Sequence, residues 1–230
     1  MSPSTIKDAL RSVRADIAAA AQTAGRDPAS VKLLAVSKTK PAEAVAEAYD
    51  AGQRDFGENY SQELVQKAAA LSHLAELRWH HIGHLQSNKV KQLLPIAYLF
   101  HGVDRLSLSA EMDKRAAVLN RPVGVLVEVS LGDEETKSGC SPDELAGLVA
   151  AVRASHHLEL CGLMTMPPLF EDPELARPYF RRLRELRDAH GGAEALPELS
   201  MGMSNDFRVA IEEGATIVRV GTAIFGGRGH

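Results

Sequence analysis

The chain has 230 residues, 45% hydrophobic and 24% charged. That is enough apolar mass for one large domain or two small ones, and it excludes disorder as the main state. Lysine and arginine total 26 against 30 acids, a net charge of -4, so no global field attracts nucleic acid or anionic lipid.

Cys140 and Cys161 are the two cysteines, too few for a disulfide framework, and they read as free thiols of a reducing cytoplasm. Lys7, Asp8, Arg11, Arg14 and Asp16 break up the first segment, so no secretory apolar core forms there. No uncharged run approaches the roughly 18 residues that span a bilayer. A cytoplasmic protein is expected.

Ile6, Leu10, Val13 and Ile17 recur at spacings of three and four, predicting a helix from Thr5 to Ala24 within an N-terminal segment, 1–28, that packs on the rest. Strands follow at Val31 to Lys38, Asp55 to Asn59, Arg78 to Gly83, Tyr98 to Asp104, Val123 to Ser130, Leu158 to Met166, Leu199 to Gly202 and Ile217 to Phe225. The stretches between them have helical period. Pro41 to Ala51 opens with a proline in its first turn, and Ser141-Pro142-Asp143-Glu144 combines an N-cap serine, a proline at N1 and a glutamate at N3.

Eight strands alternating with helices imply a parallel sheet, because each crossover needs a dozen or more residues. The closed solution is an α/β fold, a single-domain (β/α)8 TIM barrel over 1–230 with an extra N-terminal helix. The rival open, doubly wound sheet would carry G-x-G-x-x-G after its first strand, and that motif is absent.

Function in a barrel gathers at the C-terminal ends of the strands. The run Leu33-Leu34-Ala35-Val36-Ser37-Lys38 ends on a lysine, and a two-residue period puts Leu34, Val36 and Lys38 on one face. If that face is the lumen, Lys38 rises into the mouth. Burial and the nearby cation Lys40 then lower its pKa and free a neutral amine to form a Schiff base with an aldehyde. The alternative is a solvated lysine at a strand end.

Ser200-Met201-Gly202-Met203-Ser204 follows the seventh strand, and Ser204 sits where it would cap a helix from Asn205 to Glu213. Barrels often build a phosphate site from the loops after strands seven and eight, and Gly221-Thr222 supplies the second loop. The plainer alternative is a capped helix beside a glycine bend. Arg219, inside Ile217-Val218-Arg219-Val220-Gly221, needs a partner if buried. That partner is either an acidic side chain or the ring nitrogen of a pyridine cofactor, which a guanidinium leaves unprotonated and a poor electron sink.

Several strings together carry a resemblance: Ala35-Val36-Ser37-Lys38-Thr39-Lys40-Pro41, Phe56-Gly57-Glu58-Asn59-Tyr60, Ile82-Gly83 with Leu85-Gln86-Ser87-Asn88-Lys89, Gly162-Leu163-Met164, Leu199 to Ser204, and Val218 to Gly226. Over nearly its whole length the chain resembles the pyridoxal phosphate homeostasis protein family. The resemblance implies a fold-type III barrel like the barrel domain of alanine racemase. It also implies pyridoxal 5'-phosphate (PLP) held as an internal aldimine, a Schiff base on Lys38, in a carrier or regulator of vitamin B6 without established turnover. By the same resemblance Ser204, Gly221 and Thr222 hold the phosphate, Met203 is a cofactor contact and Arg219 faces the pyridine nitrogen. Asn59 and His80 lie nearby, and the resemblance gives Lys137 a part in a secondary PLP contact or in transfer. Trp79-His80-His81-Ile82-Gly83-His84 departs from the family pattern at His81 and His84, which bears on the local pH response.

Other readings of the sequence are weaker. His80, His81 and His84 lack the helical spacing of a zinc site, so no metal is expected. The arginines between Arg177 and Arg187 interleave with Glu174, Glu185 and Asp188 as on a solvated helix face. The loop Gly132 to Gly139 lacks the phosphate-loop order of residues, and Cys140 reads as an ordinary thiol. Two functional rivals remain: a PLP-dependent amino-acid racemase or lyase, and a cofactor-free aldolase acting through Lys38 on a sugar phosphate. The expected partners are PLP and PLP-dependent apoenzymes, with no nucleic acid or membrane, and a monomer is expected.

Overall fold

The structure, a computed structural model, describes residues 5–132 and 138–227. Its strands are β1 (Lys32–Val36), β2 (Asp55–Glu58), β3 (Arg78–His81), β4 (Ala97–Val103), β5 (Val123–Glu128), β6 (Leu158–Met164), β7 (Glu198–Ser200) and β8 (Ile217–Val220). The helices are α1 (Ile6–Thr23), α2 (Ala42–Asp50), α3 (Ser61–Ala70), α4 (Val90–Leu93), α5 (Leu106–Ala116), α6 (Pro142–Arg153), α7 (Arg177–Ala189), α8 (Gly192–Ala195), α9 (Phe207–Glu212) and α10 (Thr222–Phe225). Each strand pairs in parallel with the next. β1 pairs with β8, Ala35 opposite Val220, to close the barrel that the alternation predicts.

Strands in such a barrel are covered on both faces, and the pleat divides their side chains between two cores. Ala35, Phe56, Trp79, Phe100, Leu199 and Val218 belong to the layer beneath the helices. Leu34, Val36, Ile82, Leu99, Leu126, Met164 and Ile217 form a separate cluster that fills the lumen. The parity expected for β1 therefore holds.

Where β6 passes β7 there is no room for a side chain. A Cβ on Gly162 would stand 1.9 Å from the Glu198 carbonyl oxygen. Gly162→Ala is expected to pry these strands apart and cost about 3 kcal/mol; a urea midpoint unchanged from wild type would contradict that.

The helix starts follow local chemistry. Ser141 Oγ accepts the Glu144 N–H at 3.3 Å and the Glu144 carboxylate accepts the Ser141 N–H at 2.9 Å, the reciprocal cap that the sequence predicts for α6. Pro41 stands at the N-cap of α2 rather than in its first turn. α1 buries Leu10, Val13 and Ile17 and lies across α2, α9 and α10. The arginines of α7 are not simply solvated: Arg177, Arg181 and Arg184 converge on the buried carboxylate of Glu213 just past α9, tying two helices together.

Two elements are shorter than the sequence suggests. β8 stops at Val220 because Gly221 turns the chain at the rim, and Thr222–Phe225, expected to continue the strand, forms α10. α9 begins at Phe207 and not at Asn205, because residues 204–206 form a turn and Asp206 occupies the N-cap.

Candidate functional site

Two networks hold the segment that carries Lys38. Ser37 Oγ donates to Glu58 Oε1 at 2.6 Å, and Lys67 Nζ donates to the same oxygen and to the Ser37 carbonyl, both at 2.7 Å. On the other side of Lys38 the Thr39 N–H donates to Glu63 Oε2 at 2.8 Å, and Lys67 Nζ reaches that carboxylate at 3.0 Å. Thr39 takes a left-handed φ of 64°, a conformation a β-branched residue adopts only when its surroundings impose it. Ser37 is anchored toward α3, and the half-buried Lys38 follows it in the turn just past the end of β1, at the C-terminal rim. Lys40, expected as a cationic neighbour, donates to the Gly227 carbonyl at 2.7 Å.

The loops after β7 and β8 meet beside β1. The Gly221 N–H donates to Ser204 Oγ at 3.4 Å, and a Cβ on Gly221 would lie 3.1 Å from the Val36 carbonyl oxygen. Only a glycine brings this loop so close to the end of β1 without strain. Ser204 therefore does not cap α9, as the sequence suggested; its hydroxyl joins the two loops. Asp206 turns its carboxylate back onto the Met203 N–H at 2.6 Å. α10 starts at Thr222, so the N–H groups of Thr222 and Ala223 have no intrahelical acceptor. Met203, Ser204, Gly221 and Thr222 thus share one corner of the mouth.

Arg219 lies inside the barrel, 3% exposed. Its Nη1 donates to Ser200 O and Ser200 Oγ, both at 2.8 Å, and its Nη2 to Thr165 O at 3.0 Å. Neither reading of its partner anticipated backbone carbonyls and a serine. Burial pulls its pKa down to about 10, opposed by Glu128 and Asp206. Asn59, one residue past β2, keeps Oδ1 buried without a hydrogen-bond partner among the described residues. Gly83 packs directly on the Asn59 backbone, leaving no space for a Cβ.

His80 is buried inside the barrel. Its Nε2 lies 3.0 Å from Asp55 Oδ1, at the N-terminal end of β2, and its Nδ1 lies 3.0 Å from His101 Nε2. His81 faces outward against Phe100 and Ser61, and burial with His84 nearby lowers its pKa to about 4. His84 Nδ1 lies 3.2 Å from Asp104. Burial raises the Cys140 and Cys161 thiols to about 12 and about 11, so neither is an activated nucleophile. Among the described residues no three His, Cys, Asp or Glu side chains gather as a metal site, and no helix is long and apolar enough to cross a membrane. Lys137 lies outside the described residues.

Sequence reasoning missed Glu128, whose lumen-facing carboxyl ends β5 at 2% exposure. Burial first, then Asp104, pushes its pKa up to about 7 against the pull of Arg219. An acid at a strand end was the available signal.

The closed parallel barrel belongs to a known class: residues 9–229 match the family model described as alanine racemase, N-terminal domain. A pyridoxal phosphate homeostasis protein of Aquifex aeolicus is 50% identical over 211 residues, 91% of this chain and 92% of that protein. The protein of that name from Pseudomonas aeruginosa is 47% identical over 228 residues, covering 99% and 97%. PipY of Synechococcus elongatus, solved with PLP bound, is 36% identical with a TM-score of 0.83, covering 96% of this chain and 100% of PipY. The chain belongs to the pyridoxal phosphate homeostasis protein family.

Proposed function

We propose that this protein binds PLP at the C-terminal mouth of its barrel and serves PLP homeostasis as a carrier or regulator rather than through turnover. The observation that carries this reading is the corner where the loops after β7 and β8 meet beside the end of β1, the strand that leads into Lys38; PLP bound to a relative of the same fold supports it. When bound, PLP supplies an aldehyde that an uncharged amine takes up covalently and a phosphate that anchors it.

The residues fit that group. Lys38 provides the amine. Ser204, Thr222 and the open N–H groups at the start of α10 provide donors for the phosphate, with Met203 flanking them. Arg219 keeps its Nε–H and one Nη2–H for the ring nitrogen, and Asn59 has a buried oxygen in need of a donor. His80 acts from below, through other side chains.

A guanidinium holds its proton, so the ring nitrogen stays an acceptor and carbanion chemistry is poorly supported. Racemisation also needs a second acid/base opposite Lys38. Tyr49 lies under Arg54, Tyr98 beside Arg78, and Tyr179 on α7 beside Phe170; Tyr60 is exposed. This favours the carrier over the racemase or lyase. The carrier is a cytoplasmic monomer that supplies PLP-dependent apoenzymes.

Borohydride reduction of the PLP-treated protein followed by peptide mass spectrometry tests the reading. The adduct is expected on the Lys38 peptide. Its absence there, trapping of a sugar phosphate instead, or sustained formation of D-isomers from L-amino acids would overturn the proposal.

A further inference from the structure

Side chains from five strands form a continuous line through the lumen. Arg219 Nη1 is 2.8 Å from Ser200 Oγ, Ser200 Oγ 2.9 Å from His101 Nδ1, His101 Nε2 3.0 Å from His80 Nδ1, and His80 Nε2 3.0 Å from Asp55 Oδ1. Both histidines are buried. The Asp55 end of the line fixes its direction, and the Arg219 end is compatible with it. Arg219 has only donors. At the far end Asp55 takes Arg78 Nε on Oδ1 at 2.7 Å and Arg78 Nη2 on Oδ2 at 2.6 Å, the fork of an ionised carboxylate, which only accepts.

His80 must therefore donate from Nε2 and, as a neutral ring, accept at Nδ1. His101 then donates from Nε2 and accepts at Nδ1, and the Ser200 hydroxyl donates to His101 while its lone pair receives Arg219. Assigned from the Asp55 end, every contact has one donor and one acceptor, and the line finishes with a serine lone pair facing the donor-only Arg219. Running it backwards with neutral rings would require a protonated Asp55 against Arg78.

We propose that Ser200, His101 and His80 are positioning residues. Through a one-way hydrogen-bond chain ending on Asp55, they hold the Arg219 guanidinium in the orientation that presents its remaining donors to the bound cofactor. The inference rests on the PLP reading for its purpose, and on the geometry alone for its existence. Thr165 O and Ser200 O fix two guanidinium protons; the Ser200 hydroxyl, kept receptive by His101, takes the third. With the serine oxygen removed, that proton loses its acceptor and the guanidinium turns to satisfy it.

Two measurements decide the matter. In 15N-labelled protein without PLP at pH 7, ring-nitrogen correlation spectra are expected to show His80 and His101 both neutral and both protonated on Nε2; an imidazolium, or an Nδ1–H tautomer at either residue, would refute the chain. In the PLP-treated protein, Ser200→Ala and His101→Leu are expected to weaken PLP binding about tenfold and to displace the chromophore's absorption maximum, while borohydride still fixes PLP to Lys38. Ser200→Thr, which keeps the hydroxyl, should restore both properties. Unchanged affinity and absorption in Ser200→Ala and His101→Leu would overturn the positioning role. If the wild type itself formed no Lys38 adduct, the PLP reading would fall, and the tautomers would still decide whether the chain exists.

Discussion

Lys67→Met lowers the melting temperature by about 10 °C and slows PLP capture by Lys38 at temperatures where the variant is folded. The lysine is the buried counter-ion of Glu58, a fully buried carboxylate whose Oε2 has no hydrogen-bond partner among the described residues. Burial already raises the Glu58 pKa even with Lys67 and Ser37 pulling it down. Removing one partner of such a pair costs about 3–5 kcal/mol, and about 2–4 °C is lost per kcal/mol in a domain of this size. Methionine replaces the apolar stem, so the loss isolates the ammonium. The same ammonium holds the Ser37 carbonyl and Glu63, the anchors on either side of Lys38. Lys67→Arg should recover part of both effects. Thermal unfolding within a degree or two of wild type would show that the pair does not hold the segment.

Glu128→Gln is expected to stabilise the protein at pH 8 and to leave it unchanged at pH 4. In the folded chain the Glu128 carboxyl is pushed from the ordinary 4.5 up to about 7. Its stabilising contribution is complete below about pH 4.5, where folded and unfolded chains are both protonated. It is lost as the pH climbs toward 7, because the unfolded chain releases the proton first. Above that window the penalty approaches about 3 kcal/mol, and glutamine, which resembles the protonated acid, escapes it. Melting curves at the two pH values should differ by about 8 °C in the variant's favour at pH 8 only. Equal shifts at both would mean that Glu128 is not the titrating group. An acid that destabilises its own fold at neutral pH is typical of a residue retained for function.

The barrel was legible because its period is local. Apolar runs separated by helical stretches identify eight strands one at a time, and the pleat of Leu33 to Lys38 assigns Leu34 and Val36 to the lumen without any tertiary knowledge. Element ends were less legible. Thr222 to Phe225 has the composition of a strand, yet Gly221 lets the chain leave the sheet. Ser204 has the chemistry of a cap, but Asp206 stands nearer the helix start.

The site's supporting networks could not be read at all. Lys67 looks like any lysine on an amphipathic helix, and only the fold places it against Glu58 and Ser37. His80, His101 and Ser200 lie 21 and 99 positions apart along the chain. No spacing rule joins residues that meet solely because the sheet is closed.

That closure joins the earliest strand to the latest. Until β8 is made, β1 offers one flank of unmatched peptide groups, and the apolar side of α1 lacks α9 and α10, its largest supports, which come at the end. During synthesis the growing polypeptide thus carries sticky margins that nothing inside it can cover. A chain cut short before its final unit is expected to give an open, self-associating intermediate rather than a smaller barrel.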